Sequence, residues 1–409
     1  MKILFISDNF PPEVNAPASR TYEHAKRWVA SGIDVTVITG APNFPEGRVH
    51  EGYRNAWRLI EEIDGIRVVR VKTYITSNEG FVLRTLDYLS FMVSALFVGL
   101  FEKRPDIVVG TSPQFFSALG AWLLSVIKWR PFVFELRDLW PASIVTVGAM
   151  KRGLTIRLLE RLELFLYRRA TIIVSVTESF RHDLVERGID RNKIQVVRNG
   201  VDLSRYQPRR RSIELAERLG ISGRFVVAYL GTHGMAHALD NVLRAAQLLA
   251  DDPDIVFLLV GHGAQKQMLR ARAAEMKLNN VVFHKSVSKE QMPELWSTCD
   301  VALVHLKDDP VFSSVVPSKI FEAFGMGKPV IIAQPDGEAA ELVREAGAGE
   351  WIPPEQPQAL ARIVREWHAD RAQVAAYAKK SHVAAAQHSR DRLAARMAEI
   401  LRRIAGYTS

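Results

Sequence analysis

The sequence predicts an α/β fold of two parallel-sheet domains. Short β-branched runs alternate with helical stretches along almost the whole chain. Those runs are continuously apolar, not alternating, which implies strands buried on both faces and therefore parallel sheets. At 409 residues the chain is also too long for one ordinary core. A polar, proline-containing stretch near 203–212, "LSRYQPRRRS", separates two series of strands of similar extent.

The first series is "KILFIS" (2–7), "VTVIT" (35–39), "IRVVRV" (66–71), "DIVVG" (106–110), "PFVFE" (131–135) and "TIIVSV" (171–176). The second is "FVVAYLG" (225–231), "IVFLLVG" (255–261), "VVFH" (281–284), "VALVHL" (301–306) and "PVIIA" (329–333). Each series suggests a Rossmann-like unit, in which ligands sit beyond the carboxyl ends of the strands, with a cleft between the two. The chain divides as 1–205, 206–385 and a helical tail over 386–409 that can pack back on the first domain. The N-terminus lacks a long apolar stretch and a small-residue cleavage site, so it reads as a first strand and not a signal peptide. The single cysteine, Cys299, allows no internal disulfide and fits a reducing cytoplasm.

The longest apolar run, near 86–101, falls short of the roughly 20 residues needed to span a bilayer. It reads as a buried helix, with a lipid-docking surface as the alternative. Net charge is +9. Its densest excess is 151–169, with six basic and two acidic residues. Leu154, Leu158, Leu162 and Phe165 form a stripe there, so this is a basic amphipathic helix. It either packs on a sheet or meets an anionic membrane or phosphate-bearing acceptor. No zinc-finger, helix-turn-helix or RNP-type pattern accompanies the charge, which disfavours nucleic acid.

Several loops fall where ligands bind. Gly231, Thr232, His233 and Gly234 follow a strand and lead into a helix starting around Ala238. Such a turn lets the backbone approach an anion. It is not a nucleotide P-loop, because no Gly-Lys-Ser/Thr follows, and "VGHGAQKQ" (260–267) lacks the third glycine of a dinucleotide fingerprint. His233 and His237 have a metal-like spacing, but the residues between them are loop-like. "DPD" (252–254) reads as a turn before a strand. "NFPPEVNAPASR" (9–20) is long for a strand-to-helix connection. "FELRDLWPAS" (134–143) puts Glu135, Arg137, Asp138 and Trp140 at the end of a buried strand. Finally, "VPSKIFEAFGMGKPVI" (316–331) places Lys319 and Glu322 on one face of an otherwise apolar helix.

Together these residues resemble family 4 of the retaining glycosyltransferases, which have the GT-B fold of two facing Rossmann-like domains. The resemblance is carried by the 6–39 region, by "VVRNGVDLSRYQP" (196–208), by "VVFHKSVSKEQMPELWSTCDVALV" and by "PSKIFEAFGMGKPVI". It is nearest to the bacterial surface-polysaccharide branch, where "RDLWP" and "PSK–x–x–E" occur together, with transferases of fucose and N-acetyl-L-fucosamine. Three family features differ. Ser314 stands eight residues before Glu322, where a first glutamate is usual. Small residues around Asn15–Ala18 replace a Gly-Gly pair, and "GTHGMAHALD" lacks the usual Arg and Lys.

The resemblance implies a nucleotide-sugar donor, UDP-linked, on the C-terminal domain, with Glu322 accepting from the ribose hydroxyls. Lys319, the Gly231–Gly234 turn and backbone around Val315 and Val316 would hold the diphosphate, with Ser314 and Ser318 also on the donor. Asp138 and Arg137 would touch the acceptor or reacting sugar, and Asn15, Ala16, Pro17 and Arg20 the acceptor. No cofactor or metal is expected. The acceptor would be a polyprenyl-diphosphate-linked saccharide, which places the chain in the cytoplasm, peripheral on the inner membrane. An epimerase of the same fold, or a non-catalytic scaffold, stands as the alternative.

Overall fold

The computed structural model describes residues 1–44, 46–76, 81–112, 114–139 and 153–407. Trp140, Pro141, Ala142, Ser143, Lys151 and Arg152, singled out within two of the segments above, lie outside them. The chain forms two units, Met1–Arg198 with Arg390–Ser409, and Asn199–Ser389.

The first unit is built on an eight-stranded sheet. Its strands are β1 (Lys2–Ile6), β2 (Asp34–Gly40), β3 (Arg58–Ile63), β4 (Ile66–Val71), β5 (Ile107–Thr111), β6 (Phe132–Leu136), β7 (Ile172–Ser175) and β8 (Ile194–Val196). Their order is β3-β4-β2-β1-β5-β6-β7-β8. All pairs are parallel except β3 with β4. One face carries the helices Phe81–Phe101, Phe115–Lys128 and Leu154–Arg169 over a core that includes Phe91, Leu124 and Leu166. The other carries Ala16–Ala30 and Arg390–Ile404 over Trp28, Met397 and Leu401. Trp28 Nε1 donates to the Ala394 carbonyl at 2.9 Å. The last helix thus completes this unit's core, and each fully buried Met or Leu adds about 1.5–3 kcal/mol.

The second unit has six strands, all parallel: β9 (Phe225–Leu230), β10 (Ile255–Val260), β11 (Val281–His284), β12 (Val301–His305), β13 (Val330–Ala333) and β14 (Gly349–Ile352). The order β11-β10-β9-β12-β13-β14 is that of a doubly wound Rossmann sheet. Its topological switch lies between β9 and β12, so the crevice at their carboxyl ends is the ligand position. In the first unit the corresponding switch lies between β1 and β5.

The structure differs from expectation in four places. The division falls between Arg198 and Asn199, because 203–212 is docked on the second unit: Tyr206 is buried in its core, and Arg211 pairs with Asp300 at 3.1 Å. The second unit runs on to Ser389. The apolar helix is longer than its sequence run and is not buried. Leu83–Phe101 is long and apolar enough to cross a membrane by length and composition, and Val93, Phe97 and Phe101 are exposed while Phe91, Ala95 and Val98 pack inward. In the basic helix only Leu162 and Phe165 of the expected stripe pack on the core, and Leu154 and Leu158 face solvent.

Candidate functional site

In the second unit, β9 ends in a turn that only glycine accommodates. Gly231 has φ +152°, and a Cβ there would lie 3.1 Å from Lys319 Nζ. The turn after β10 closes against it. A Cβ on Gly261 would come within 1.8 Å of the Gly231 carbonyl oxygen, and one on Gly263 within 2.5 Å of the His233 carbonyl oxygen. The backbones join through His233 N to His262 O at 2.7 Å and Gln265 N to His233 O at 3.0 Å. Lys266 Nζ ties the same turn by donating to the carbonyls of Gly261 and His284.

Lys319 enters this crevice from the start of the short helix Lys319–Gly325. The residue keeps part of its surface exposed, but its ammonium lies 3.7 Å from the centre of the Tyr229 ring. Tyr229 is itself buried and donates its hydroxyl to the Thr232 carbonyl at 2.8 Å. The rings of His233 and His237 stand 6.0 and 5.8 Å from Tyr229. His305, at the end of β12, places Nδ1 2.8 Å from the His237 carbonyl oxygen. Burial brings the Lys319 ammonium down to about 7, against the pull of Glu322. Burial first, with Lys319's charge adding, lowers His237 to about 3 and His305 to about 4. His233 is lowered to about 4 by burial and by Lys266 and Lys319. These three rings are neutral at neutral pH. Among the described residues no three His, Cys, Asp or Glu side chains converge as a metal site.

Glu322 accepts from Trp296 Nε1 at 3.4 Å. Its attraction to Lys319 acts at a distance, since the ammonium turns to Tyr229 and no ion pair joins the two. Beside them, Ser314 ends a 3₁₀ turn (Pro310–Ser314), with its hydroxyl donating to the Val311 carbonyl at 2.9 Å. Val315 N–H donates to the Phe312 carbonyl at 3.3 Å, so it faces its own turn and not an incoming diphosphate. Val316 contributes its side chain to the core. Ser318 caps the helix by position, without a side-chain hydrogen bond. The buried Gln334 holds this loop by donating to the carbonyls of Phe312 and Val315.

In the first unit, the long loop ends where Asn15 caps helix Ala16–Ala30, accepting from Ala18 N at 2.9 Å. Arg137, just past β6, donates to the carbonyls of Ala16 at 2.8 Å and Pro17 at 3.1 Å. Burial brings its guanidinium down to about 9. The N–H groups of Arg137 and Asp138 both reach Ser112 Oγ, past the end of β5. Asn15, Ala16, Pro17, Arg137 and Asp138 therefore do gather at one sheet edge. Arg20 does not join them. It is fully buried, pairs with Glu135 at 2.8 Å and donates to the carbonyls of Val197 and Arg198. Each of its three guanidinium nitrogens donates to an internal partner, so it is a structural ion pair and not an acceptor contact. Glu135 is its partner.

Sequence reasoning did not select Tyr229, His305, Lys266, Gln334 or Asp8. His305 had a readable signal as the polar residue within "VALVHL". Asp8 follows β1 at the first unit's switch, and burial, then Asp87 and Glu13, raises its carboxyl well above the usual range. "DPD" (252–254) sits before β10, at the opposite end from the crevice, with Asp252 paired to Arg365 at 3.1 Å.

Residues 15–200 match the model of the glycosyl transferase 4-like domain, and residues 212–383 that of glycosyl transferases group 1. The chain is a two-domain glycosyltransferase and belongs to the family 4-like GT-B proteins. Among its relatives is WcaI of Escherichia coli, named as a colanic acid biosynthesis glycosyl transferase, 27% identical over 90% of this chain and 92% of its own. WbjE of Pseudomonas aeruginosa, named as a glycosyltransferase, is 27% identical over 66% of this chain and 65% of its own. The crystal structure of Anabaena HepE in complex with UDP shares the fold at TM-score 0.71, with 19% identity over 98% of this chain and 99% of that one.

Proposed function

We propose that the chain transfers a hexosyl group, of the 6-deoxy or N-acetylamino kind, from a UDP-linked donor to a polyprenyl-diphosphate-linked saccharide in bacterial surface-polysaccharide assembly. The observation that carries this reading is the Lys319 ammonium, held at the β9/β12 switch against the Gly231 turn, with no carboxylate paired to it among the described residues. An enclosed cation without an anion is made for a ligand that brings one, and a diphosphate does. The UDP in HepE and the polysaccharide role in WcaI's name support the nucleotide and the process.

In this reading Lys319 and the Gly231–Gly234 turn, with Thr232 and His233, hold the diphosphate. They stabilise the charge that develops as the sugar's anomeric carbon leaves it. Glu322, oriented by Trp296, accepts from the ribose hydroxyls. Asp138 serves the reacting sugar or acceptor, and Arg137 fixes the Asn15–Pro17 edge beside it. Transfer proceeds with retention. The bond from anomeric carbon to phosphate oxygen breaks, a bond to the acceptor oxygen forms on the same face, and the acceptor's proton passes to the departing phosphate. Lys319 supplies the charge, so the reading calls for no metal. The lipid-linked acceptor places the protein on the cytoplasmic face of the inner membrane, in peripheral contact.

The test is binding and transfer together. UDP, GDP and TDP are titrated by calorimetry, and UDP-sugars are offered with membrane lipid extracts. Lys319→Ala and Glu322→Ala should each abolish most transfer in a folded protein. Near-normal turnover in either variant would remove that residue from the donor site.

A further inference from the structure

Half of the large apolar side chains exposed among the described residues, 11 of 22, lie on one layer of the first unit. They belong to helices Phe81–Phe101, Phe115–Lys128 and Leu154–Arg169 and to Trp129, which caps the second of these in a left-handed conformation (φ +55°). The two helices on the opposite face of the same sheet contribute none. The asymmetry therefore belongs to the face.

The apolar side chains are densest where two helices end side by side. Lys128 Nζ donates to the carbonyls of Leu100 and Glu102 at 3.1 and 2.9 Å, and Arg104 Nε donates to the Lys128 carbonyl at 3.2 Å. Phe97, Leu100, Phe101, Val126, Ile127 and Trp129 surround this junction, and Trp129 is 84% exposed. Residues 88–101 contain no charged side chain. Lys103 and Arg104 follow directly, exposed and without an ion-pair partner among the described residues. Arg157, Arg161, Arg168 and Arg169 are exposed on the third helix. Among the described residues, Glu102 is buried against Arg58 and Arg67, and Glu163 against Arg187. Asp87 and Glu160 on these helices, and Asp183 and Glu186 on the neighbouring helix Glu178–Glu186, keep part of their surface in solvent.

An apolar band flanked by exposed cations, with a tryptophan at its edge, matches the interface of an anionic bilayer. The helix Phe81–Phe101 has the length to span, yet its inner side is fixed. Phe91, Ala95 and Val98 are in the core, and a Cβ on Gly99 would meet Leu124 at 2.5 Å. Crossing a membrane would mean tearing it from that core, so it lies along the surface.

We infer that this three-helix face docks flat on an anionic lipid bilayer, seating Phe97, Phe101 and Trp129 at the boundary between headgroups and acyl chains and the flanking cations against the headgroups. The inference deepens the membrane contact in the proposed function by naming its surface and lipid chemistry, and it is independent of the donor site.

The experiment is sedimentation of the full chain with vesicles of phosphatidylcholine alone, or mixed with phosphatidylglycerol at about two to one. The wild-type protein should pellet with the mixed vesicles, less so with the neutral ones, and less again as salt rises. The double variant Phe101→Glu, Trp129→Glu should lose at least about tenfold in partitioning, since it places charge where apolar insertion is needed. Lys103→Gln should lose about fivefold. UDP binding, measured on the same preparations, should be unchanged in all, which also shows that they are folded. Wild-type protein that stays in the supernatant, or variants that pellet equally, would overturn the inference. So would a wild-type dimer in sedimentation velocity that the double variant dissociates, because a second copy would then cover the face. Loss of UDP binding with vesicle binding intact would sink the donor reading alone.

Discussion

The Lys319 ammonium lies 3.7 Å from the centre of the Tyr229 ring, with no carboxylate paired to it among the described residues. A desolvated cation–π contact is worth about 2 kcal/mol, which does not restore what burial removes. The ammonium therefore titrates at about 7. A diphosphate placed against it favours the charged form, so binding raises that value. UDP binding should then take up about half a proton at pH 7 and more as pH rises, with affinity falling above that point. Calorimetry in two buffers of different ionisation heat reads the uptake directly. Lys319→Met should abolish it, and equal heats for the wild-type protein in both buffers would rule it out. The unliganded protein should show the companion effect. Lys319 is held below its unfolded value, so the unfolded state binds more protons between about pH 7 and 10, and stability from this group rises across that window.

The ring and the hydroxyl of Tyr229 can be separated. Tyr229→Phe keeps the face beneath the ammonium and loses only the bond to the Thr232 carbonyl, a net cost of about 1 kcal/mol. It should bind UDP within a few-fold of wild type. Tyr229→Leu removes the π face and should weaken UDP binding by about tenfold, the equivalent of roughly 1.4 kcal/mol. Equal affinities in the two variants would show that the ring does not position Lys319.

Gly261→Ala tests the crossing of the two turns. The new methyl would lie 1.8 Å from the Gly231 carbonyl oxygen, at a φ of +153° that disfavours any side chain. Neither backbone can yield without moving the turn beneath Lys319. We expect at least about 2 kcal/mol of lost stability in denaturant unfolding, and loss of UDP binding in the fraction that stays folded. Wild-type UDP affinity in this variant would show that the turn does not shape the site.

The strands of both sheets were readable because they are buried on both faces and so appear as unbroken apolar runs. The strands that escaped lack that mark. β3 is an antiparallel edge whose residues alternate between half-buried and exposed, β8 has three residues, and β14 is the half-buried edge "GEWI". Lys319 and Glu322 stood out as charges in an apolar helix. Tyr229 did not, because a tyrosine in a buried strand looks like core and its contact with Lys319 spans 90 residues of sequence. Arg20 misled for the converse reason. It follows a loop that shapes the sheet edge, and nothing local shows that its partner lies on β6. Exposure of the 86–101 segment was equally hidden, since composition does not tell which side of a helix faces the sheet.

Asp8 offers a measurement on the first unit. Burial and the neighbouring Asp87 and Glu13 raise its carboxyl well above the usual range. The folded state therefore holds this proton more tightly than the unfolded one, and stability from this group falls as pH rises through the raised value. Asp8→Asn removes the cost of ionising it. The variant should unfold at a higher temperature than wild type at about pH 8 and show a smaller difference at about pH 5. No gain at the higher pH would show that the carboxyl ionises there without penalty.

Arg20 and Glu135 are each about 1% exposed and pair at 2.8 Å. Burial pushes the Glu135 carboxyl up, but Arg20 and Arg137 outweigh it and hold the carboxyl below its ordinary value. Its contribution to stability is therefore present above the unfolded value and lost as pH falls through the lowered one. Arg20→Ala strands that carboxylate without its main partner and should cost about 3–5 kcal/mol in urea unfolding. Replacing both, Arg20→Met with Glu135→Leu, leaves no buried charge at the pair. It should recover much of that loss, since a buried pair often roughly balances an apolar one of similar volume. An acceptor-binding arginine predicts the opposite pattern: Arg20→Ala would keep wild-type stability and lose transfer, and the double variant would restore nothing. Urea midpoints for the two variants, with transfer rates for whichever remains folded, decide between an internal tie and a ligand contact.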